Sequence, residues 1–341
     1  MVEPNVSWIR DRVSASTKLL RRDFLRLTAA GAALSTIPEI ARAQAYPSRP
    51  VRIIVGFPAG GGSDILARVI AHWLSERFGE NFIVENRPGA ATNVATEAVV
   101  RAEPDGYTLL MFSTSTLISA SLYDKLDFNF SRDIAPVASI GRGALAIVVN
   151  PLVPAKTLDE FIAYAKANPG MIAMASAGTG SAPHVAGELF KMMAGINMLH
   201  VPYRGDTLAL VDLLSGQVQV YFSTLFGSME YIRAARLRAL AVTTAERAEP
   251  LPGVPTVSEI VPGYEASVLN GLGVPVRTPP EIIVTLNNEI NRGLADPTIR
   301  LRLSDLGVTV EAKTPDQTKA VIAEEIMKWS KVVNFAGIKP D

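Results

Sequence analysis

The sequence predicts a two-domain α/β protein, and three observations carry that reading. From Tyr46 onward, short apolar runs of strand character alternate with segments whose apolar residues recur at helical spacing. Two loops of small residues, Ala59-Gly60-Gly61-Gly62-Ser63-Asp64 and Ala177-Gly178-Thr179-Gly180-Ser181, each separate a strand from a helix, one in either half of the chain. At 341 residues and 48% apolar, the chain can fill two cores.

Residues 1–45 stand apart. Arg21-Arg22 precedes a mildly apolar, Ala-rich run at 27–37, followed by two A-x-A cleavage sites that share Ala43. Charged start, apolar middle and small-residue end, in that order, predict a twin-arginine signal peptide over 1–45 rather than a short amphipathic helix, and hence a periplasmic protein. From Tyr46 the remaining 296 residues carry 26 Lys/Arg against 29 Asp/Glu, a formal charge of −3. That balance speaks against nucleic acid or an anionic membrane surface as partner. No later stretch reaches the ~18 apolar residues of a membrane helix, which predicts a soluble mature chain. With no cysteine, the protein has no disulfide, thiolate metal site or cysteine nucleophile.

Residues 51–55 read as a buried strand entering the first loop, and Ser63 or Asp64 caps the helix that follows until Gly79 stops it. Strands are expected at 82–84, 107–112, 134–140 and 144–150, with a helix bearing Val94 and Val99 after the first. The last two are joined through Gly141-Arg142-Gly143, where the chain first crosses between domains. Ser113-Thr114-Ser115-Thr116 ends the strand at 107–112, either as ligand contacts or as the cap of the next turn. Thr157 to Glu160 is a capping box for a helix ended by Asn168-Pro169-Gly170. The strand at 171–176 enters the second loop, and Pro183 opens the next helix. A strand at 198–201 leads to Tyr203-Arg204-Gly205, with Asp206 as cap of a helix that Gly216 ends. Strands at 218–222 and 237–242 end at Ser223-Thr224 and Thr243-Thr244, and 267–274 returns to the first domain. Pro279-Pro280, Asp296-Pro297 and Thr314-Pro315 open three final helices. The domains divide as 46–146 and 265–341 against 147–264.

Both loops bring backbone N–H groups to a helix N-terminus, where anions bind. Neither carries a cofactor signature: the first lacks the Gly-Lys-Ser/Thr of a P-loop and the second the third glycine of a dinucleotide fingerprint, so no cofactor is expected. His72, His184 and His200 are scattered, and His184 with Glu188 at i,i+4 suits a hydrogen bond better than a metal, so no metal site is assigned. Ser181 and His184 offer a hydrolase its one foothold, without an acidic third member, and no catalytic residue is assigned. Arg204 either clamps a ligand carboxylate or forms a solvated or interdomain salt bridge.

The order Tyr46-Pro47-Ser48-Arg49-Pro50-Val51, Phe57-Pro58-Ala59-Gly60-Gly61-Gly62-Ser63-Asp64, Glu85-Asn86-Arg87-Pro88-Gly89, Ala177 to His184, Val201-Pro202-Tyr203-Arg204-Gly205 and Val254-Pro255-Thr256-Val257 resembles the Bug family, the extracytoplasmic receptors of tripartite tricarboxylate transporters. The resemblance implies a type II periplasmic-binding-protein, or Venus-flytrap, fold that closes on a small organic carboxylate. It places Phe57, Ala59, Gly60, Gly61 and Asp64 in one half of the site, with Asp64 acting through water or as a helix cap. Ala177, Gly178, Thr179, Ser181 and His184 form the other half, Ser113 and Thr114 the floor, and Tyr203, Arg204 and Ser223 complete the set. It also implies a monomer that delivers ligand to the transporter's membrane subunits or, alternatively, signals to a membrane sensor. Ala91-Thr92-Asn93 stands where the family often continues with glycines, Asp206 where a small residue is common, and Ser223 where many members carry Asp. Losing that Asp is read as disfavouring an amino acid and favouring a plain di- or aromatic carboxylate.

Overall fold

Residues 46–123 and 125–340 are described by the computed structural model, and the leader expected at 1–45 lies outside them. Their strands sort into two sheets. β1 (Val51–Val55), β2 (Phe82–Asn86), β3 (Thr108–Ser113), β4 (Ile134–Gly143), β10 (Val268–Pro275) and β11 (Val308–Val310) take the order β11-β4-β10-β3-β1-β2. β5 (Leu145–Val149), β6 (Ala173–Ser176), β7 (Leu199–Pro202), β8 (Val220–Thr224) and β9 (Arg238–Val242) take the order β7-β6-β8-β5-β9. Both sheets are mixed: β1 runs parallel to β2 and β3, whereas β10 is antiparallel to β3 and β4. β3 and β5, apolar almost throughout, are buried along their whole length, as strands covered on both faces must be.

The helices of eight or more residues are α1 (Gly62–Phe78), α2 (Asn93–Val100), α3 (Thr114–Leu122), α4 (Leu158–Ala167), α5 (Ala182–Ala194), α6 (Asp206–Ser215), α7 (Leu225–Arg233), α8 (Pro280–Ala295), α9 (Pro297–Asp305) and α10 (Pro315–Ala336). Local chemistry sets many of their ends. Gly79 stops α1 and Gly216 stops α6 at φ of 74° and 80°, a conformation a side chain resists. Asp296 accepts the N–H groups of Thr298 and Ile299, and Thr314 and Gln317 form a capping box at α10.

Three features depart from the sequence reading. Gly141-Arg142-Gly143 ends β4 rather than linking two strands, because β10 and β11 pair with it on either side, leaving Ala144 alone between β4 and β5. α1 starts two or three residues early and α6 one, with Gly61 and Gly205 at their N-caps, so Asp64 and Asp206 lie in first turns instead of capping them. The final helix serves both lobes. Ile322 packs with Ile54, Phe112 and Leu269 of the six-stranded lobe, whereas Trp329, Val332 and Val333 join Ile147, Phe190 and Phe222 of the other. A 22-residue helix is roughly 33 Å long at 1.5 Å per residue, enough to reach both.

Candidate functional site

A cavity of about 40 Å³ lies between the two lobes. Five helices present their N-termini to it: α1 through Gly62 and Ser63, α3 through Ser113 and Ser115, α5 through Ala182 and Pro183, α6 through Asp206, and α7 through its cap Thr224. Phe57, Ala177 and Val268 complete the wall. A helix N-terminus favours an anion through its first N–H groups and partial positive charge, so their convergence favours one here, although the Ala182, His184 and Gly227 N–H groups are already bonded to the Ser115, Ser181 and Thr224 hydroxyls. The elements meet closely here. A methyl group on Gly62 would stand 3.7 Å from Thr224 Cγ2, one on Gly205 3.5 Å from Pro58 Cγ, and the Ala182 N–H donates to Ser115 Oγ at 3.0 Å. A wider groove of about 1260 Å³ lies elsewhere, but its charged core of Arg142, Glu311, Glu325, Glu265 and Lys328 is internally paired.

The two small-residue loops are built alike. In each, a glycine at positive φ donates its N–H to a side chain four residues on: Gly60 to Asp64 Oδ2 at 2.9 Å, and Gly180 to His184 Nδ1 at 3.1 Å. Asp64 is buried, and Arg68 grips it through Nε and a terminal nitrogen at 3.0 and 2.9 Å. Asn86 donates to Asp64 and to the Phe57 carbonyl, which ties strand, loop and helix together. Burial alone would raise the Asp64 carboxyl; the bonds from Arg68, Gly60 and Asn86 outweigh it and hold the group below the usual carboxylate range. Asp64 therefore shapes the loop from behind and does not line the cavity.

The second loop uses a neutral counterpart. His184 Nδ1 accepts the Gly180 N–H, so the neutral ring carries its proton on Nε2, 3.7 Å from Glu188 Oε1. Its face stacks on His200 at 3.6 Å, and His200 Nε2 meets Ser176 Oγ at 2.7 Å. Ser181 accepts the His184 backbone N–H as a helix cap, so hydroxyl and imidazole are engaged with other partners rather than with each other.

Burial, with smaller contributions from His200 and Lys191, holds His184 down at about 3. In the unfolded chain the same ring titrates near 6.5, so below that pH unfolding takes up a proton that the folded state refuses. Stability should fall by about 1.4 kcal/mol per pH unit between roughly pH 6.5 and 4.5, above the range of the lowered carboxylates. Asp206, pushed up by burial, acts with the opposite sign and flattens the lower end. Urea unfolding at pH 7, 6 and 5 checks this against His184→Gln; equal slopes in both proteins would show that His184 is not the cause.

Of the other candidates, Phe57, Ser113 and Ala177 line the cavity, and Gly61 flanks it. Ala59 and Gly60 are exposed, and a methyl on Gly60 would meet nothing within 4 Å. Thr114 Oγ1 accepts the Leu269 N–H at 2.8 Å and so fastens β10, while Ser113 shares a capping box with Thr116. Gly178 backs onto the Tyr203 carbonyl, and Thr179, beside it, is absent from the wall. Tyr203 donates to Asp212 at 2.7 Å, and burial ahead of that bond raises its hydroxyl to about 12. Arg204 is exposed and without an ion pair among the described residues. Ser223 donates to the Thr224 carbonyl, and its neighbour Thr224 faces the cavity in its place. Ser63, Ser115, Pro183, Asp206 and Thr224 are wall residues outside the sequence-predicted set; each lies in the first turn or cap of a helix that follows a strand end, which is the signal that could have found them.

Beside the second loop the backbone is strained. Ala90, Ala91 and Thr92 have φ of 44°, 49° and 76°, where each non-glycine residue costs about 1 kcal/mol. Glycine at 91 and 92, two of the three positions where the resemblance has the family often continuing with glycines, would be free of that cost. Ser119 Oγ donates to the Ala91 carbonyl at 2.6 Å and Thr92 Oγ1 to Thr116 Oγ1 at 3.1 Å, which fixes the turn against α3.

Comparison with known proteins gives the family of the chain. Residues 66–338 fit the family model described as "Tripartite tricarboxylate transporter family receptor". Protein BugT of Bordetella pertussis is 38% identical over 300 residues, 87% of this chain and 92% of its own length. An R. palustris protein solved with adipate superposes with a TM-score of 0.83 at 33% identity, covering 87% of this chain and all of its own. MatC from Rhodopseudomonas palustris, solved with bound malate, superposes at 0.79 with 30% identity, covering 84% of this chain and 100% of its own.

Proposed function

Starting from the fact that the chain belongs to the Bug family of tripartite tricarboxylate transporter receptors, we propose that it captures a small organic carboxylate between its lobes in the periplasm and delivers it to the membrane subunits of such a transporter. The observation that carries this reading is the convergence of five helix N-termini on one cavity. A carboxylate suits such a site, because its oxygens accept several N–H groups at once and its charge meets their aligned dipoles. Adipate and malate, bound in two solved relatives, are both carboxylates. Phe57, Gly62, Ser63, Ala177, Ala182, Pro183 and Thr224 would enclose the ligand over the floor formed by Ser113 and Ser115. The chain supplies both halves of the site and acts as a monomer.

Closure is the working step. A ligand that touches both loops has contacts in the closed form that the open form lacks, so it shifts the population toward closure. The closed surface is what the membrane subunits would recognise, and no bond is made or broken.

A thermal-shift screen against C4 to C6 and aromatic carboxylic acids tests the proposal. A ligand at 100 times its dissociation constant adds about 2.7 kcal/mol of stability, a plainly visible shift. Gly62→Leu fills the cavity at a position whose φ is not positive, so the variant should fold and lose the shift. Absence of any shift in the parent protein, or an unaltered shift in the variant, would overturn the reading.

A further inference from the structure

Among the described residues, Asp206 is the one carboxylate on the cavity wall. Its Oδ1 accepts the Tyr221 hydroxyl. Its Oδ2 points to the opposite lobe and lies 3.9 Å from where a Cβ on Gly61 would stand. No cation answers it: Asp206 has no ion pair among the described residues, and Arg204, two residues earlier, is exposed. Burial pushes its carboxyl up, and the Tyr221 bond only partly offsets that. A negative group with one unused oxygen thus faces a cavity otherwise surrounded by helix N-termini.

A plain dicarboxylate would satisfy those N-termini and meet repulsion at Asp206. An ammonium would give the unused oxygen a charge-assisted hydrogen bond and neutralise this partly buried charge. We propose that Asp206 reads a cationic end of the ligand, so that this receptor selects amino-carboxylates, with the ammonium on Asp206 Oδ2 and the carboxylate at the N-termini of α3 and α5. The proposal rests on the carboxylate-receptor reading above. It reverses the preference drawn from Ser223, because position 223 does not line the cavity and Asp206 restores the acid from a neighbouring helix.

Calorimetric titration of the whole mature chain at pH 7.5 with matched pairs tests it: glutarate against 4-aminobutyrate, and adipate against 5-aminopentanoate. The ammonium member of at least one pair should bind at least tenfold more tightly. Asp206→Asn, which keeps an acceptor for Tyr221, should erase or reverse that preference. Dicarboxylates binding at least as tightly as their partners would overturn the role of Asp206 and leave the receptor reading intact. An ammonium preference that survives Asp206→Asn would overturn it too. Binding by neither class, here and in the wider carboxylate screen, would remove the receptor reading and this inference together.

Discussion

Arg142→Met should lower the unfolding free energy by about 4 kcal/mol, the loss expected when one partner of a buried ion pair is removed. Arg142, one residue before the end of β4, donates to Glu325 at 2.7 Å, Glu311 at 3.1 Å and Ser267 at 3.1 Å. Burial alone would lower the guanidinium; Glu325, Glu311 and Glu265 outweigh it and hold the group firmly charged. Methionine keeps the stem packing and leaves the buried Glu325 carboxylate with only the Trp329 indole N–H, at 2.7 Å. Most of the penalty is that stranded charge, so Arg142→Met with Glu325→Gln should recover half or more of the loss. Urea midpoints of the two single variants and the double variant form the cycle that checks it. A double variant no more stable than Arg142→Met would refute the stranded-charge account.

Asp64→Ala should cost roughly 3 kcal/mol and weaken ligand binding as well. The substitution leaves the Gly60 N–H without its acceptor and the Asn86 NH2 group with the Phe57 carbonyl alone, while Arg68, half exposed, recovers water and keeps its bond to Asn86 Oδ1. The first loop then loses the bond that holds its glycine turn against α1. A shifted urea midpoint with the ligand-induced thermal shift reduced or lost is the expected pair of results. A shifted midpoint with full ligand response would show that the loop holds its shape without Asp64.

The sequence revealed what neighbouring residues determine. Gly79, Gly216, Asp296 and Thr314 act on backbone within a few residues of themselves, so helix ends at these positions could be read directly. The two small-residue loops were legible for the same reason, as glycines between a strand and a helix. What was hidden depends on partners far along the chain. Thr114 looked like a ligand contact until Leu269 claimed its hydroxyl, and β4 runs through Gly141-Arg142-Gly143 only because β10 and β11 lie beside it. Ser223 and Thr224 exchange roles through strand parity, since a one-residue shift turns a side chain to the other face. The second half of α10 packs in the far lobe, which its own amphipathic pattern does not encode.

The small size of the cavity also governs how fast and how tightly a guest can bind. At 40 Å³ it holds a few water molecules, each needing at least roughly 10–15 Å³, and not an organic acid of four or more carbons. Entry therefore waits on separation of the lobes, and at saturating ligand the observed association rate levels off at the frequency of that opening. If the shut arrangement outweighs the open one tenfold, apparent affinity is about tenfold weaker than that of the open protein. Substitutions that loosen the closed contact between Gly205 and Pro58, neither of which lines the cavity, would then raise that limiting rate.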